Sequence, residues 1–335
     1  MPSVARAEIL ALLAGARPQP APAFSGLIHV TAAGLSAAGL RLAEVHPDPA
    51  RLAQAAASTA ALTGWPSAAL PLDMCVEAEA LGAGVDFYGD DPLPRLPQVS
   101  RPLAEAVAGL VVPVPADFER RGRLPALAEA IRQLRGRAGA DLVVGAWVPG
   151  PFSLLSILTP PNALYLALGE QPASLAPALA ACAEALARSA ALYQAAGADF
   201  ITIHEMGGSP GVIGPRAFRR HVLPPLQALV RALRGPRVLS VCGRLNAAAL
   251  PLLAEAGAEA LSVDQLTDLA QARAALGPER LLFGNLDPVA VLAEGDEAAV
   301  RASAAAARAA GVDAVWPGCD LLPATPPANL RALVG

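Results

Sequence analysis

The sequence contains little charge, few aromatic residues and no lysine. Charged residues make up 16% of its 335 residues and aromatic residues 4%, against roughly 25% charged residues in an average globular domain. All 25 basic residues are arginines, and they are spread over predicted helices without forming a patch, which excludes a nucleic-acid-binding footprint. Hydrophobic residues make up 54%, so we expect a folded protein with a substantial core.

Cysteine is also rare, and its spacing excludes the dense disulfide framework of a small secreted protein. The four cysteines are Cys75, Cys182, Cys242 and Cys319. Residues 1–22 lack a basic segment followed by a long apolar one, so we expect no signal peptide. The most apolar long stretch, 174–196, is interrupted by Glu184 and Arg188, which predicts a helix of a soluble protein and no membrane span. These features favour a cytoplasmic protein without a membrane partner.

Short apolar runs alternate with alanine-rich helical segments from residue 68 onward. Eight runs are typical of buried strands: 68–73, 109–113, 141–148, 200–205, 237–242, 260–264, 281–286 and 312–317. Before several of them an Ala-Gly pair, as at 196–197, marks the end of a helix. This alternation predicts a (β/α)8 TIM barrel over residues 67–335. A doubly wound open sheet is the alternative.

Residues 1–66 do not follow this repeat. They contain two helical patterns, 4–14 and 51–63, joined by proline-rich connections, and we expect a helical N-terminal extension packed on the barrel. A proline-rich segment, 90–101, follows the first predicted strand. Because proline fixes φ, we expect a stiff loop there, beside the mouth of the barrel.

The carboxyl ends of the strands in such a barrel meet at one mouth, which carries the chemistry. The predicted strand ends are rich in polar residues: Asp73, Glu77, His204, Glu205, Ser240, Cys242, Asp264, Asn285, Asp287, Cys319 and Asp320. Burying such groups together costs free energy unless they serve a purpose. Singly, each has a structural alternative: Asp73 or Asp287 could be a helix N-cap. Side chains alternate along a strand, so at most one of His204 and Glu205 points into the mouth.

Cys242 and Cys319 each follow a short apolar run that ends in a glycine-containing turn. Two thiols at the ends of strands in one barrel can converge on one point, as in a thiolate metal site. No Cys-x-x-Cys spacing supports the pair, so the residues alone leave a metal site as one interpretation. Cys75 and Cys182 are expected to be ordinary small buried residues.

Several motifs, in their order and spacing, resemble the uroporphyrinogen decarboxylase superfamily. Within it, the chain is most similar to the corrinoid-dependent methyltransferase branch, which includes methylcobalamin:coenzyme M methyltransferases. The resemblance covers nearly the whole chain and is carried by residues 71–82, 144–152, 214–218, 241–243, 261–264, 282–288 and 317–319. The arginine-rich motif with which the decarboxylases bind porphyrinogen carboxylates has no match, and 29–34 stands in its place. Porphyrinogen decarboxylation is therefore not expected.

The resemblance implies a zinc site of the form His-x-Cys…Cys, in which Cys242 and Cys319 match the two cysteines. Ser240 occupies the position of the histidine, and a serine hydroxyl is a much poorer zinc ligand than imidazole. The third protein ligand is therefore missing or comes from a neighbouring strand. We favour Asp264, whose spacing suits the next strand end, over Glu205, with His204 as a further candidate.

The resemblance also implies that zinc activates a small-molecule thiol acceptor as its thiolate. The thiolate would exchange a methyl group with a corrinoid protein or methylcobalamin. Glu77 is expected to orient the acceptor or transfer a proton, with Asp73 and Asn285 as further catalytic candidates. Two alternatives remain: a decarboxylase-like lyase with an altered or metal-free site, and a non-catalytic homologue that binds a corrinoid protein or small ligand.

Overall fold

A computed structural model describes residues 3–89 and 95–334 of the chain. The strands are β1 (Ser67–Leu70), β2 (Gly84–Asp86), β3 (Gln98–Arg101), β4 (Val143–Pro149), β5 (Phe200–Glu205), β6 (Arg237–Val241), β7 (Ala260–Val263), β8 (Leu281–Leu286) and β9 (Ala314–Pro317). The α-helices are α1 (Val4–Leu13), α2 (Ala32–Ala37), α3 (Leu42–Val45), α4 (Pro49–Thr63), α5 (Val76–Ala80), α6 (Leu124–Ala138), α7 (Pro151–Leu158), α8 (Pro161–Glu170), α9 (Leu175–Ala196), α10 (Pro210–Ile213), α11 (Pro215–Ala217), α12 (Leu223–Ala232), α13 (Leu250–Ala254), α14 (Leu269–Leu276), α15 (Glu297–Ala309) and α16 (Pro327–Val334).

Seven strands form one parallel sheet in the order β1-β4-β5-β6-β7-β8-β9. The order follows the chain without the reversal that defines a doubly wound sheet, so the predicted barrel class is confirmed and the open-sheet alternative is wrong. Nearly every residue of these strands is buried, because the barrel interior covers one face and helices cover the other. Strand ends that are distant in the sequence therefore meet at one mouth.

The eighth position of the barrel is taken by the N-terminal segment 22–25. Ala23 forms a parallel bridge with Val315 of β9. On the other side, the backbone N–H of Ser25 donates to Oγ of Ser67, the first residue of β1, at 3.1 Å. A short piece of the predicted extension thus lies between the first and last strands of the sheet.

Two predicted elements differ from the structure. Residues 109–113 form no strand: Leu110 and Val112 are buried in the core, but Val111 between them is 82% exposed, so the run is not covered on both faces as a barrel strand would be. In the predicted proline-rich loop, Gln98–Arg101 is a strand, β3, paired antiparallel with β2. Residues 90–94 of that loop lie outside the described residues.

The longest helix, α9, packs on the sheet as one of the outer helices of the barrel. It is the one described helix that is long and apolar enough to cross a membrane, and half of its apolar window is buried inside the protein. Its neighbours are α6, α7, α12 and β4. Helix α4 packs in the same way against β1 and α6.

Aromatic side chains fill the amino-terminal end of the barrel. The ring of Phe24 lies 5.1 Å from Trp316, 5.7 Å from Phe283 and 6.0 Å from Phe200, measured between centroids. Apolar residues of α1 pack against the same cluster. With this end closed, the carboxyl end of the barrel is where polar side chains can meet a ligand.

Candidate metal centre

Three soft donor groups come together at the carboxyl end of the barrel. His204 lies on β5, Cys242 directly follows β6, and Cys319 follows β9 by two residues. Nε2 of His204 lies 3.1 Å from Sγ of Cys242, and the two sulfurs lie 3.6 Å apart. The donor atoms of all three residues are within 4.8 Å of one another. We refer to His204, Cys242 and Cys319 as the thiol cluster.

The register of β5 and β6 places two of these residues on one face. His204 is the in-register Cα partner of Ser240. Cys242 lies two residues beyond Ser240, and since side chains alternate along a strand, it points to the same side. The N–H of Cys242 continues the ladder by donating to the carbonyl of Glu205 at 3.3 Å.

The close approach of the turn that carries Cys319 depends on Gly318. A Cβ atom at this position would lie 2.6 Å from the backbone nitrogen of Gln265, so only glycine fits. The N–H of Gly318 donates to the carbonyl of Leu286 at 2.7 Å. This contact holds the turn against the end of β8.

The two thiols and the imidazole shift one another's pKa. A hydrogen bond from the Cys242 thiol, together with the nearby His204 ring, lowers the pKa of Cys319 well below the usual range. The same thiol pair, together with burial, raises the pKa of Cys242. Burial opposes protonation of His204, but its contact with Cys319 prevails and raises the pKa of the ring. One thiolate of the pair is thus favoured even without a bound cation.

The donor set fits zinc. Two thiolates and one imidazole are preferred ligands of Zn²⁺, and three protein ligands leave the fourth position open, as in catalytic zinc sites. The 3.6 Å between the sulfurs is close to the roughly 3.8 Å expected for two sulfurs each about 2.3 Å from one tetrahedral zinc ion. Nε2 is the ring nitrogen of His204 that faces the thiols, and Nδ1 is buried without a hydrogen-bond partner among the described residues.

The third member of the thiol cluster is His204, whereas the sequence analysis favoured Asp264 as the third metal ligand. The Asp264 carboxylate accepts hydrogen bonds from the N–H groups of Gly243, at 2.9 Å, and Leu266, at 2.8 Å. It therefore braces the turn that follows Cys242. The structure places Asp264 beside the cluster as a support for its backbone.

Glu205 does not join the cluster either. Alternation along β5 turns it away from the barrel interior, and its carboxylate accepts from Ser153 Oγ at 2.6 Å and from the N–H of Gly208 at 3.1 Å. Burial raises its pKa. Glu205 thus joins the loops after β4 and β5, and the side chain that faces the thiols is that of His204.

Asp73, predicted as catalytic, belongs to a buried ion-pair cluster. Its oxygens accept from both terminal nitrogens of Arg123, at 2.7 and 3.0 Å, and lie 3.1 Å from Nδ1 of His46. Nε of Arg123 donates to Glu79 at 2.6 Å. Burial alone would raise the pKa of Asp73, but His46 and Arg123 hold it well below its usual range. We refer to His46, Asp73, Glu79 and Arg123 as the carboxylate cluster.

Glu77 is fully buried and faces the helix layer. It accepts a hydrogen bond from the Tyr193 hydroxyl of α9 at 2.7 Å, and its other oxygen has no partner in the described part of the chain. Burial raises its pKa to about 7, although the bond from Tyr193 opposes this. The contacts of Glu77 are with α9 and not with the thiol cluster.

Asn285, the third catalytic candidate, supports the loop after β7. Its side-chain amide donates to the carbonyls of Asp264, at 2.9 Å, and Thr267, at 2.7 Å. Sequence reasoning missed Trp147, whose ring lies edge-on to His204 with centroids 6.2 Å apart. Trp147 lies in the motif region 144–152, but no signal in the sequence pairs it with a histidine 57 positions away.

Comparison with known proteins places the chain in a family. A model of the uroporphyrinogen decarboxylase (URO-D) family matches residues 5–335. The methylcobamide:CoM methyltransferase MtaA of Methanosarcina barkeri is 30% identical over 292 residues, which cover 87% of this chain and 85% of the relative. The methylcobamide:CoM methyltransferase MtbA of Methanosarcina mazei is 30% identical over 306 residues, covering 90% and 87%.

A solved structure of a methyltransferase from Methanosarcina mazei has the same fold. It superimposes with a TM-score of 0.91 at 28% identity and covers 98% of this chain and 97% of that one. These findings confirm the resemblance drawn from the motifs and the expected enzyme class, a methyltransferase. With a family match that extends over residues 5–335, the chain belongs to the uroporphyrinogen decarboxylase family.

Proposed function

We propose that this protein transfers a methyl group between a corrinoid and a small thiol acceptor, with zinc held by the thiol cluster. The observation that carries the proposal is the convergence of His204, Cys242 and Cys319 within 4.8 Å at the barrel mouth. Relatives that match over most of their length are named methylcobamide:CoM methyltransferases. The donor set supports the same chemistry independently of those names.

Zinc at this position would lower the pKa of an acceptor thiol, so that a thiolate is present at neutral pH. Cys242 and Cys319 would supply two negative charges that balance the dication. The acceptor sulfur then keeps its own charge and its nucleophilicity. His204 completes the set without adding charge, and Trp147 packs against its ring and limits its movement.

Two alternatives have less support. A metal-free lyase would need acid–base groups at the mouth, but Asp73 is neutralised by Arg123 and Glu77 contacts α9. A non-catalytic homologue would be expected to lose donor groups, yet three remain together. We also propose a cytoplasmic location, because a reducing compartment keeps such a thiol pair free, and a corrinoid protein as the methyl-carrying partner.

Metal content and methyl transfer test the proposal together. Wild type, Cys242→Ser and Cys319→Ser are loaded with zinc, and the metal is measured by elemental mass spectrometry. Methylation of 2-mercaptoethanesulfonate and of 2-mercaptoethanol by methylcobalamin is followed by mass spectrometry of the products. We expect about one zinc per chain in wild type and a loss of at least about 100-fold in zinc affinity in both variants.

Cys182→Ala is the matched control, because Cys182 is buried in α9 and away from the cluster. It should keep both zinc and methyl transfer. Retention of both properties in Cys242→Ser would contradict the proposal. Zinc binding without methylation of any thiol would contradict the proposed reaction while leaving the metal centre in place.

A further inference from the structure

His204 and Ser240 occupy equivalent places on neighbouring strands. They are in-register Cα partners in the parallel pair β5–β6, and adjacent strands lie about 4.8 Å apart. Both side chains project to the face that carries Cys242. An imidazole attached at either position can therefore reach a metal ion bound to the Cys242 sulfur. In the His-x-Cys pattern that the motifs resemble, the histidine stands at 240; here 240 is serine and 204 is histidine.

We infer that either position 204 or position 240 can supply an imidazole ligand to this metal centre. In this chain His204 supplies it, and Ser240 keeps the fourth metal position open. The inference rests on the metal centre of the proposed function, and it assigns the third ligand and a role for Ser240.

The surroundings of His204 differ from those of a structural histidine in the same barrel. Both ring nitrogens of buried His29 contact backbone carbonyls, Leu27 at 2.7 Å and Ser67 at 2.8 Å. The ring of His204 is equally buried, but one nitrogen faces the Cys242 sulfur and the other has no partner among the described residues. Both nitrogens of His29 are engaged by the backbone, whereas Nε2 of His204 faces the sulfur of a proposed metal ligand, which places this nitrogen to bind the same ion.

Ser240 matters because it does not supply an imidazole to the metal. A zinc site with four protein ligands is closed and structural, whereas a site with three can accept a substrate atom. Ser240 is buried at 2% exposure, and its short side chain brings no imidazole to the metal. A histidine at 240 beside His204 would complete four protein ligands and exclude the acceptor thiol.

Four proteins test this: wild type, His204→Ala, Ser240→His and the double variant His204→Ala/Ser240→His. Each is loaded with Zn²⁺ or Co²⁺. Zinc affinity is measured by chelator competition, and the visible spectrum of the Co²⁺ form reports the coordination number and the thiolate ligands. Binding of 2-mercaptoethanesulfonate is followed through the change it causes in that spectrum.

We expect His204→Ala to lose about 100-fold in zinc affinity and the double variant to return within about tenfold of wild type. Ser240→His should bind zinc at least about tenfold more tightly, while its Co²⁺ spectrum no longer responds to the thiol. His204→Gln, which keeps the volume of the side chain, replaces the alanine variant if circular dichroism shows that His204→Ala does not fold.

Undiminished zinc affinity in folded His204→Ala or His204→Gln would overturn the inference. So would a folded double variant that does not regain zinc. If all four proteins bind metal as expected but wild type transfers no methyl group, the inference is supported and the proposed function is contradicted. Methyl transfer by wild type, with zinc that does not depend on His204, would overturn the inference alone.

Discussion

The thiol cluster and the carboxylate cluster each combine fully buried with partly buried side chains, and in each a polar residue follows a barrel strand, but they differ in how charge is balanced. In the carboxylate cluster one guanidinium lies between two carboxylates, with contacts of 2.6 to 3.0 Å. In the thiol cluster the two sulfurs lie 3.6 Å apart, and their neighbour at 3.1 Å is the imidazole of His204. The first cluster satisfies itself, whereas the second would be completed by the cation that the proposed function requires.

This difference distinguishes a cluster that stabilises the fold from one that can bind a ligand, although their residues occupy similar positions in the sequence. Asp73 follows β1 and Cys242 follows β6, so both are candidates for chemistry at the mouth. Phe87 covers the Arg123 guanidinium at 4.7 Å, which further encloses the balanced cluster. A buried polar residue whose charge is already neutralised has little left to offer a substrate.

The largest effect is expected from breaking the balance of the carboxylate cluster. Arg123→Met should lower the free energy of unfolding by about 3–5 kcal/mol, because it leaves the Asp73 carboxylate buried without its main partner. Thermal unfolding would measure this as a large decrease in Tm. The zinc content of the variant, measured well below its Tm, should equal that of wild type.

The double variant Asp73→Asn/Arg123→Met is the control for that prediction, since it removes the unpaired charge and should recover part of the stability. A folded Arg123→Met protein without zinc would show that the two clusters are not independent. Unchanged stability would show that the ion pair is not what holds this region.

The thiol cluster should affect stability only through the metal. Zinc that binds the folded state alone adds about 2.7 kcal/mol when its free concentration is about 100 times Kd. Thermal unfolding of metal-free wild type should therefore shift upward on zinc addition, and Arg123→Met should show the same increment. Cys319→Ser should show no increment, and without zinc its Tm should be close to that of wild type. An equal increment in Cys319→Ser would place the bound zinc elsewhere.

Glu77 sharpens the comparison because it is buried like Asp73 but pairs with the neutral Tyr193 hydroxyl. Its pKa is raised to about 7, so the folded state retains a proton that the unfolded chain releases at lower pH. Stability is therefore lost as the pH rises from about 4.5 to about 7. Glutamine cannot ionise, so Glu77→Gln should gain about 2 kcal/mol over wild type near pH 8 and little near pH 5.

Chemical denaturation at the two pH values measures this difference. Asp73→Asn is the opposite control, because the pKa of Asp73 is lowered and the native state contains its ionised form. It should lose stability at both pH values. A gain for Glu77→Gln that is the same at pH 5 and pH 8 would contradict the assigned protonation of Glu77.

The sequence predicted the elements that depend on local pattern. The runs 200–205 and 281–286 match β5 and β8 because each is an apolar strand buried on both faces. The convergence of Cys242 with Cys319 followed from the barrel class. For each strand the residues of one segment carried enough information, and the barrel class then brought the two cysteines together.

Features that depend on distant partners could not be predicted. The choice of His204 over Asp264 needs the register of β5 against β6. Nothing near Asp73 in the sequence indicates Arg123, 50 positions away. The segment 22–25 joins the barrel through one bridge to β9 and one hydrogen bond to β1, a pairing too short to leave a strand-length apolar pattern.

The smallest effect on stability is expected for Asn285, which supports the thiol cluster indirectly, through Asp264. Its amide holds the carbonyls of Asp264 and Thr267, and the Asp264 carboxylate holds the N–H of Gly243 beside Cys242. Asn285→Ala should lower the free energy of unfolding by about 1–2 kcal/mol through two lost hydrogen bonds. Zinc affinity should fall by a smaller factor than on loss of a ligand, within about tenfold.

Asn329 offers a matched control on another part of the barrel. Its amide also donates to two carbonyls, those of Leu292 at 3.0 Å and Gly295 at 2.8 Å, but these belong to the segment after β8 and hold no part of the thiol cluster. Asn329→Ala should therefore cost a similar free energy of unfolding and leave zinc affinity unchanged. If both variants weakened zinc binding equally, the effect would come from general loosening of the fold, and the path from Asn285 through Asp264 to Cys242 would be wrong.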